Sequence, residues 1–241
     1  MKTGVFKVKN SRSSNRDIIY NAILDKIQYC EWVPGTLISE TRLAEIFGMS
    51  RTPIREALFV LAQEGFVDIF PQAGSYVSKI DLKRIQEILF MRYHLEYPLL
   101  EEMASRRIEI PDSVEKILLL MKYSVSKEDW KETVALDYSI HEELLKSSGH
   151  EYIWNVIKKE LPHYTRFRFF EPHHNEFKGD KPRSLFEHSE MLEAIRTGDV
   201  DSLREIMKSH YDYNLDTRRE YHMKRINLHP EFFSNIQLLS Y

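Results

Sequence analysis

Ser39-Glu40-Thr41-Arg42-Leu43-Ala44-Glu45-Ile46-Phe47-Gly48-Met49-Ser50-Arg51-Thr52-Pro53-Ile54-Arg55-Glu56-Ala57-Leu58 holds two helices with almost nothing between them. Behind Ser39, a favoured N-cap, Leu43, Ile46 and Phe47 share one helical face, and Gly48 stops the segment. Gly48-Met49-Ser50 then leads into a second helix with the stripe Ile54, Ala57, Leu58, Leu61 and Ala62, closed by Gly65. Upstream, Ile19, Ala22, Ile23 and Ile27 recur at helical spacing from Arg16 to Cys30, and Pro34-Gly35 ends that run. Downstream the period changes. Phe66–Phe70 reads as a strand, Pro71–Gly74 as a turn and Ser75–Ser78 as the return strand. Helices joined by so short a turn, followed by a two-stranded wing, outline a winged helix-turn-helix.

The polar residues fit that outline. Arg51 and Arg55 are four apart and share the face opposite the apolar stripe. Arginine can grip guanine O6 and N7 with two parallel bonds. Ser50 and Thr52 add hydroxyls where the N–H groups of a helix N-terminus attract phosphate. The tip Gln72-Ala73-Gly74-Ser75 is small and polar, suited to lying against a groove. Two arginines on a helix are more often a plain solvated face, so the whole string has to carry the reading.

Leu37 to Leu58, continued by Leu61, Glu64-Gly65-Phe66-Val67, Gly74 and Val77, closely resembles the GntR family of bacterial transcription regulators. Ser50–Leu58 is its most specific part. The resemblance implies DNA contacts from Arg51 and Arg55, with Thr52 nearby, Gly74 at the wing tip and Arg42 just before Leu43-Ala44. It also implies a palindromic double-stranded operator and a homodimer whose two-fold symmetry matches it.

Beyond Asp81 the pattern is helical, with stripes over 81–107, 112–123, 126–147, 150–170, 184–197 and 200–223 and no further strand pattern. A last apolar stretch, Phe232 to Leu239, reads as a short docking helix. The expected architecture is mainly α: a flexible arm over 1–15, a winged helix-turn-helix over 16–79, and an all-α antiparallel bundle of six to seven helices over 81–241.

Polar residues interrupt the inward stripes of that bundle. Asp137 and His141 are four apart on the face that holds Val134, Tyr138, Leu144 and Leu145. His188 lies on the stripe Leu185–Leu192–Ile195, and His210 on Leu203–Ile206–Met207–Tyr213. Both histidines are 11 residues from Asp199 in the turn between their helices, so an antiparallel hairpin sets them side by side, ~16 Å from the turn. One inward histidine is more often a hydrogen-bonded core residue than a ligand. Four such groups buried together are costly unless one metal satisfies them all. Imidazole with one carboxylate suits a divalent transition metal, Zn or Ni first, with Fe and Mn compatible. His173 and His174 lie in a proline-flanked loop and read as solvated.

Arg92 also points inward, on the stripe Ile85–Leu89–Leu99. Its fork matches a carboxylate, either of an effector or of a buried bridge to Glu96, Glu101 or Glu142. Arg166 and Arg168 are candidates for a second polar group. The arrangement resembles the helical ligand-binding (FCD-type) domain of the FadR-like GntR subfamily, in which Asp-x3-His and two later histidines hold a metal. That resemblance assigns Asp137, His141, His188 and His210 to the metal. It implies that Arg92 reaches the pocket of a small organic acid effector, where Arg166 is the second candidate by its place in the sequence. Relatives carry Gly-Asn where this chain has Gly149-His150.

The composition limits the alternatives. The 241 residues carry a net charge of −3, which by itself argues against nucleic acid. Residues 1–80, however, hold 10 Lys/Arg against 8 Asp/Glu, and the acidic excess falls entirely in the remainder. The longest apolar run, Ala57–Ala62, is far too short to span a bilayer. The N-terminus has no apolar signal region, and the single Cys30 forms no internal disulfide, so a cytoplasmic protein is expected. An enzyme is not expected: His141-Glu142-Glu143-Leu144-Leu145 lacks the second histidine of HExxH, and no glycine-rich phosphate loop occurs. A metal-free acyl-ligand sensor and, behind it, a helical metalloenzyme are the alternatives to an effector-responsive DNA-binding regulator.

Overall fold

The computed structural model describes residues 14–170, 183–211 and 226–239. Most of the expected arm, the loop with His173 and His174, and the end of the 200–223 stripe lie outside the described residues. The first helix, α1 (Asn15–Gln28), opens with a reciprocal cap in which Ser14 and Asp17 satisfy each other's backbone N–H groups. Next come the short strand β1 (Leu37–Ile38) and α2 (Glu40–Phe47), which Ser39 caps at its start and Gly48, at φ +62°, ends. The third helix, α3 (Arg51–Gln63), precedes the hairpin β2 (Val67–Phe70) and β3 (Gly74–Val77). The sheet order is β1-β3-β2, antiparallel throughout, with Val67 opposite Val77 and Phe70 opposite Gly74. Two residues are too few to show an alternating pattern, so β1 was not legible. Ile19, Ile23, Ile27, Leu43, Ile54, Leu58, Leu61 and Phe66 form the buried core of this head.

A two-residue strand, β4 (Ile80–Asp81), leads into α4 (Leu82–Arg106), the long central helix of the second unit. On it pack α6 (Trp130–Ser147), α7 (Glu151–Ile157), α8 (Leu161–Phe169), α9 (Arg183–Thr197) and α10 (Val200–Tyr211), while α5 (Asp112–Ser126) packs on α6 and α9. The stripe over 150–170 is therefore two helices, with Pro162 in the first turn of α8, where a missing N–H costs nothing. The expected helix over 232–239 is a correction. Phe233–Ser234 forms β5, parallel to β4, between 3-10 turns at Pro230–Phe232 and Ile236–Leu239. The hydrophobicity of that stretch serves burial of Phe233 rather than a helical face. Among the described residues no helix is long and apolar enough to cross a membrane.

Candidate metal centre and nucleic-acid interface

The α9–α10 hairpin brings the rings of His188 and His210 to 4.8 Å, as equal distances from the turn require. From α6, His141 completes the group. Its Nε2 lies 3.0 Å from His188 Nε2 and 3.2 Å from His210 Nε2. The three rings offer ligand atoms within 4.8 Å of one another. Carboxylates hold two of the rings from behind. Glu96 Oε2 is 2.7 Å from His141 Nδ1, and Glu187 Oε2 is 3.0 Å from His210 Nδ1. A proton on the Nδ1 that faces each carboxylate would leave the Nε2 atoms of His141 and His210 as acceptors or ligands. His188 is fully buried, and its Nδ1 has no hydrogen-bond partner among the described residues.

Burial pushes the His188 imidazole far down despite Asp137, and it pushes His141 down despite Glu96. Kept neutral, the three rings can turn ring nitrogens toward a shared cation. The donor set fits a divalent transition metal: three buried imidazole nitrogens, two already oriented by carboxylates. Asp137 stands at the edge, its Oδ1 3.9 Å from His188 Nε2 and its Oδ2 3.1 Å from Arg168. Burial alone would raise its pKa, but Arg168 and the histidines outweigh burial and hold the carboxyl well below the usual carboxylate range.

The two arginine expectations change. Arg92 is buried; its Nε donates to Glu96 Oε1 at 2.8 Å and its Nη2 to Tyr211 Oη at 3.4 Å. In this arrangement Arg92 makes the bridge to Glu96, one of the two readings of its fork. Arg166 is not brought to the centre at all. It lies on the other face of α8, donating to the Ser78 carbonyl and, at 3.3 Å, to Ser78 Oγ. Arg168, two residues on, faces the centre instead, because a two-residue step turns a helix by about 200°. At 15% side-chain exposure Arg168 is the more open of the two guanidinium groups on the centre; the Arg92 side chain is 1% exposed.

On the head, Arg42, Ser50, Arg51, Thr52, Arg55 and Gly74 are all exposed. Ser50 occupies the N-cap of α3 without a side-chain cap bond, which leaves its hydroxyl for another partner. Arg55 Nε donates to Glu40 Oε2 at 2.7 Å, so an acidic residue of α2 orients one of the two arginines. The model of the bacterial regulatory proteins of the gntR family matches residues 15–77, and that of the FCD domain matches residues 87–213. The chain belongs to the GntR family.

Its relatives say the same. An HTH-type transcriptional regulator in an unstable DNA locus of Streptomyces ambofaciens is 32% identical over 93% of this chain and 92% of its own length. The gluconate operon transcriptional repressor of Bacillus licheniformis is 32% identical over 74% of each chain. The repressor RspR of Escherichia coli (strain K12) is 27% identical over 80% of this chain and 83% of its own. A GntR structure from Rhodococcus sp. RHA1 shares the fold at a TM-score of 0.67, with 20% identity over 83% of this chain and 95% of that one. As a GntR regulator with an FCD domain, the protein is a DNA-binding transcription regulator and not an enzyme.

Two groups of this GntR centre escaped the sequence reading. Glu187 precedes His188 in the chain yet serves His210 on the neighbouring helix, a pairing with no sequence period. Tyr211 faces His141, with its hydroxyl 3.3 Å from Nδ1, while Tyr213 of the expected stripe lies outside the described residues. Glu96 did leave a signal: it is four residues from Arg92 on one helix.

Proposed function

We propose that this GntR regulator acts as a homodimer on a palindromic operator, and that a small organic acid bound at a metal in the helical domain modulates its hold on DNA. The observation that carries the reading is the convergence of the His141, His188 and His210 Nε2 atoms, with carboxylates behind His141 and His210. Asp137 would supply the hard fourth donor. The metal, Zn or Ni in first place, would act as a Lewis acid that takes an oxygen of the acid. Arg168, the open guanidinium beside it, would meet the carboxylate. Gluconate, which names the operon of the Bacillus licheniformis relative, is an acid of this class.

On the head, Arg51 and Arg55 would read base edges while Ser50, Thr52, Arg42 and Gly74 hold the backbone. The effector regulates only if it binds the free and DNA-bound arrangements differently, by ~1–3 kcal/mol for ordinary coupling. Elemental analysis of the purified protein is the first test. About one metal per chain is expected, lost in His141→Ala and His188→Ala, with the operator response to organic acids lost alongside. A metal-free protein whose response survives both substitutions refutes the metal and favours the acyl-ligand sensor.

A further inference from the structure

The junction between head and bundle is tied together by groups that neither DNA nor the metal centre uses. Ser78, in the linker, donates through Oγ to the Gly65 carbonyl at 2.6 Å. It also accepts from Arg166, a buried arginine that no carboxylate pairs with among the described residues and whose Nε has no partner. Burial pushes that guanidinium down to about 10. One turn earlier on α8, His163 Nε2 is 3.0 Å from the Glu64 carbonyl, and its ring stacks on Phe66 at 3.9 Å. Arg84 Nη1 donates to the same carbonyl at 2.9 Å while its Nη2 holds Glu160 at 2.9 Å. Gly65 permits this approach: at φ +84°, a Cβ there would meet Arg84 Nη1 at 3.0 Å.

The chain's own C-terminal segment closes the junction. β5 pairs with β4 of the linker, Ile80 opposite Phe233. Asn235 Nδ2 donates at 2.6 Å to Asp81 Oδ1, the oxygen that caps α4. Phe232 and Phe233 pack on Phe170, directly after α8, at 5.3 and 4.9 Å. Neither the linker 78–81 nor residues 226–239 fall within either family match.

We propose that Arg166 and the C-terminal segment 226–239 position the DNA-reading head by clamping the linker 78–81 to α8, and that this clamp carries the state of the three-histidine centre to the head. The coupling rests on the function proposed above. The helix α8 is its physical carrier, because it offers Arg168 to Asp137 at the centre and, from its opposite face, Arg166 and His163 to the head. Any change in what Asp137 faces alters the Arg168 contact, and a rigid helix two turns long passes the shift to Ser78 and Glu64. The tail keeps the linker from absorbing it.

The test uses the full-length protein, zinc alone as probe, and an operator duplex selected from a random pool. Operator affinity is read by fluorescence anisotropy with zinc-loaded and chelator-stripped protein, beside amide exchange across 78–81. Zinc is expected to change wild-type affinity at least five-fold. Arg166→Met and Asn235→Ala should still bind zinc and operator, exchange the linker amides about ten-fold faster, and keep less than a two-fold zinc effect. Arg166→Lys, which still donates to Ser78, should retain most of that effect. A full zinc effect in Asn235→Ala or Arg166→Met, despite faster linker exchange, overturns the clamp as the route. Wild-type affinity indifferent to zinc overturns the coupling of the centre to the head, whereas loss of the organic-acid response is what overturns the proposed function.

Discussion

Removing the Arg92 guanidinium while keeping its bulk, as Arg92→Met, isolates one buried interaction. Both partners are out of water, with Arg92 and Glu96 side chains 1% and 0% exposed and Nε 2.8 Å from Oε1. Two unit charges ~4 Å apart attract by about 4 kcal/mol at an effective dielectric of 20. The variant leaves a buried carboxylate facing only His141 and Tyr211, and breaking such a pair from one side costs about 3–5 kcal/mol. For a chain of this size, that lowers the melting temperature by roughly 6–20 °C. Urea unfolding of chelator-stripped protein, followed by tryptophan fluorescence, to which fully buried Trp154 contributes, measures the loss without metal binding contributing. The double variant Arg92→Met/Glu96→Leu should recover much of it, because no orphaned charge remains. A loss below about 1 kcal/mol in the single variant, or a double variant no better than the single, would refute the claim that the pair is desolvated and mutually dependent.

Arg51→Ala and Arg55→Ala should each weaken operator binding by ~1–3 kcal/mol and relax its sequence preference, in mobility-shift titrations against the operator and single-base variants. Binding that ignores both changes would remove α3 from the interface. His163 gives a pH signature. Burial first, then Arg84 and Arg166, depress its pKa to about 3, against the partial support of the Glu64 carbonyl and Asp81. The unfolded chain, at the ordinary histidine value near 6.5, binds the proton that the folded chain refuses. Stability is therefore full above pH 6.5 and falls as pH drops toward 3, by about 2 kcal/mol at pH 5 from this residue. In His163→Phe the stability-versus-pH slope between 6 and 4 should shrink by about one proton, and an unchanged slope would contradict the assignment. Gly48→Ala should cost about 1 kcal/mol in thermal melts, since Gly48 ends α2 at φ +62° with nothing within 4 Å of a new Cβ. A far larger loss would show that space, not backbone conformation, sets the requirement.

Local sequence already determined the head. Ser39, Gly48 and Gly65 punctuate helices whose stripes run at 3.6 residues, and the change to period two marks the wing, because these signals depend on neighbours a few residues apart. The same arithmetic paired His188 with His210, since two positions equidistant from a tight turn must meet whatever else the chain does. Tertiary structure alone decided the rest. Whether Arg166 or Arg168 faces the centre depends on the rotation of a nine-residue helix whose polar and apolar residues give little phase, and only its packing on α1 and α4 sets that rotation. The pairing of Phe233 with Ile80 and of Glu187 with His210 joins segments that no period connects. Contacts between elements are fixed by which surfaces can be buried together, and that information appears only when the chain has closed on itself.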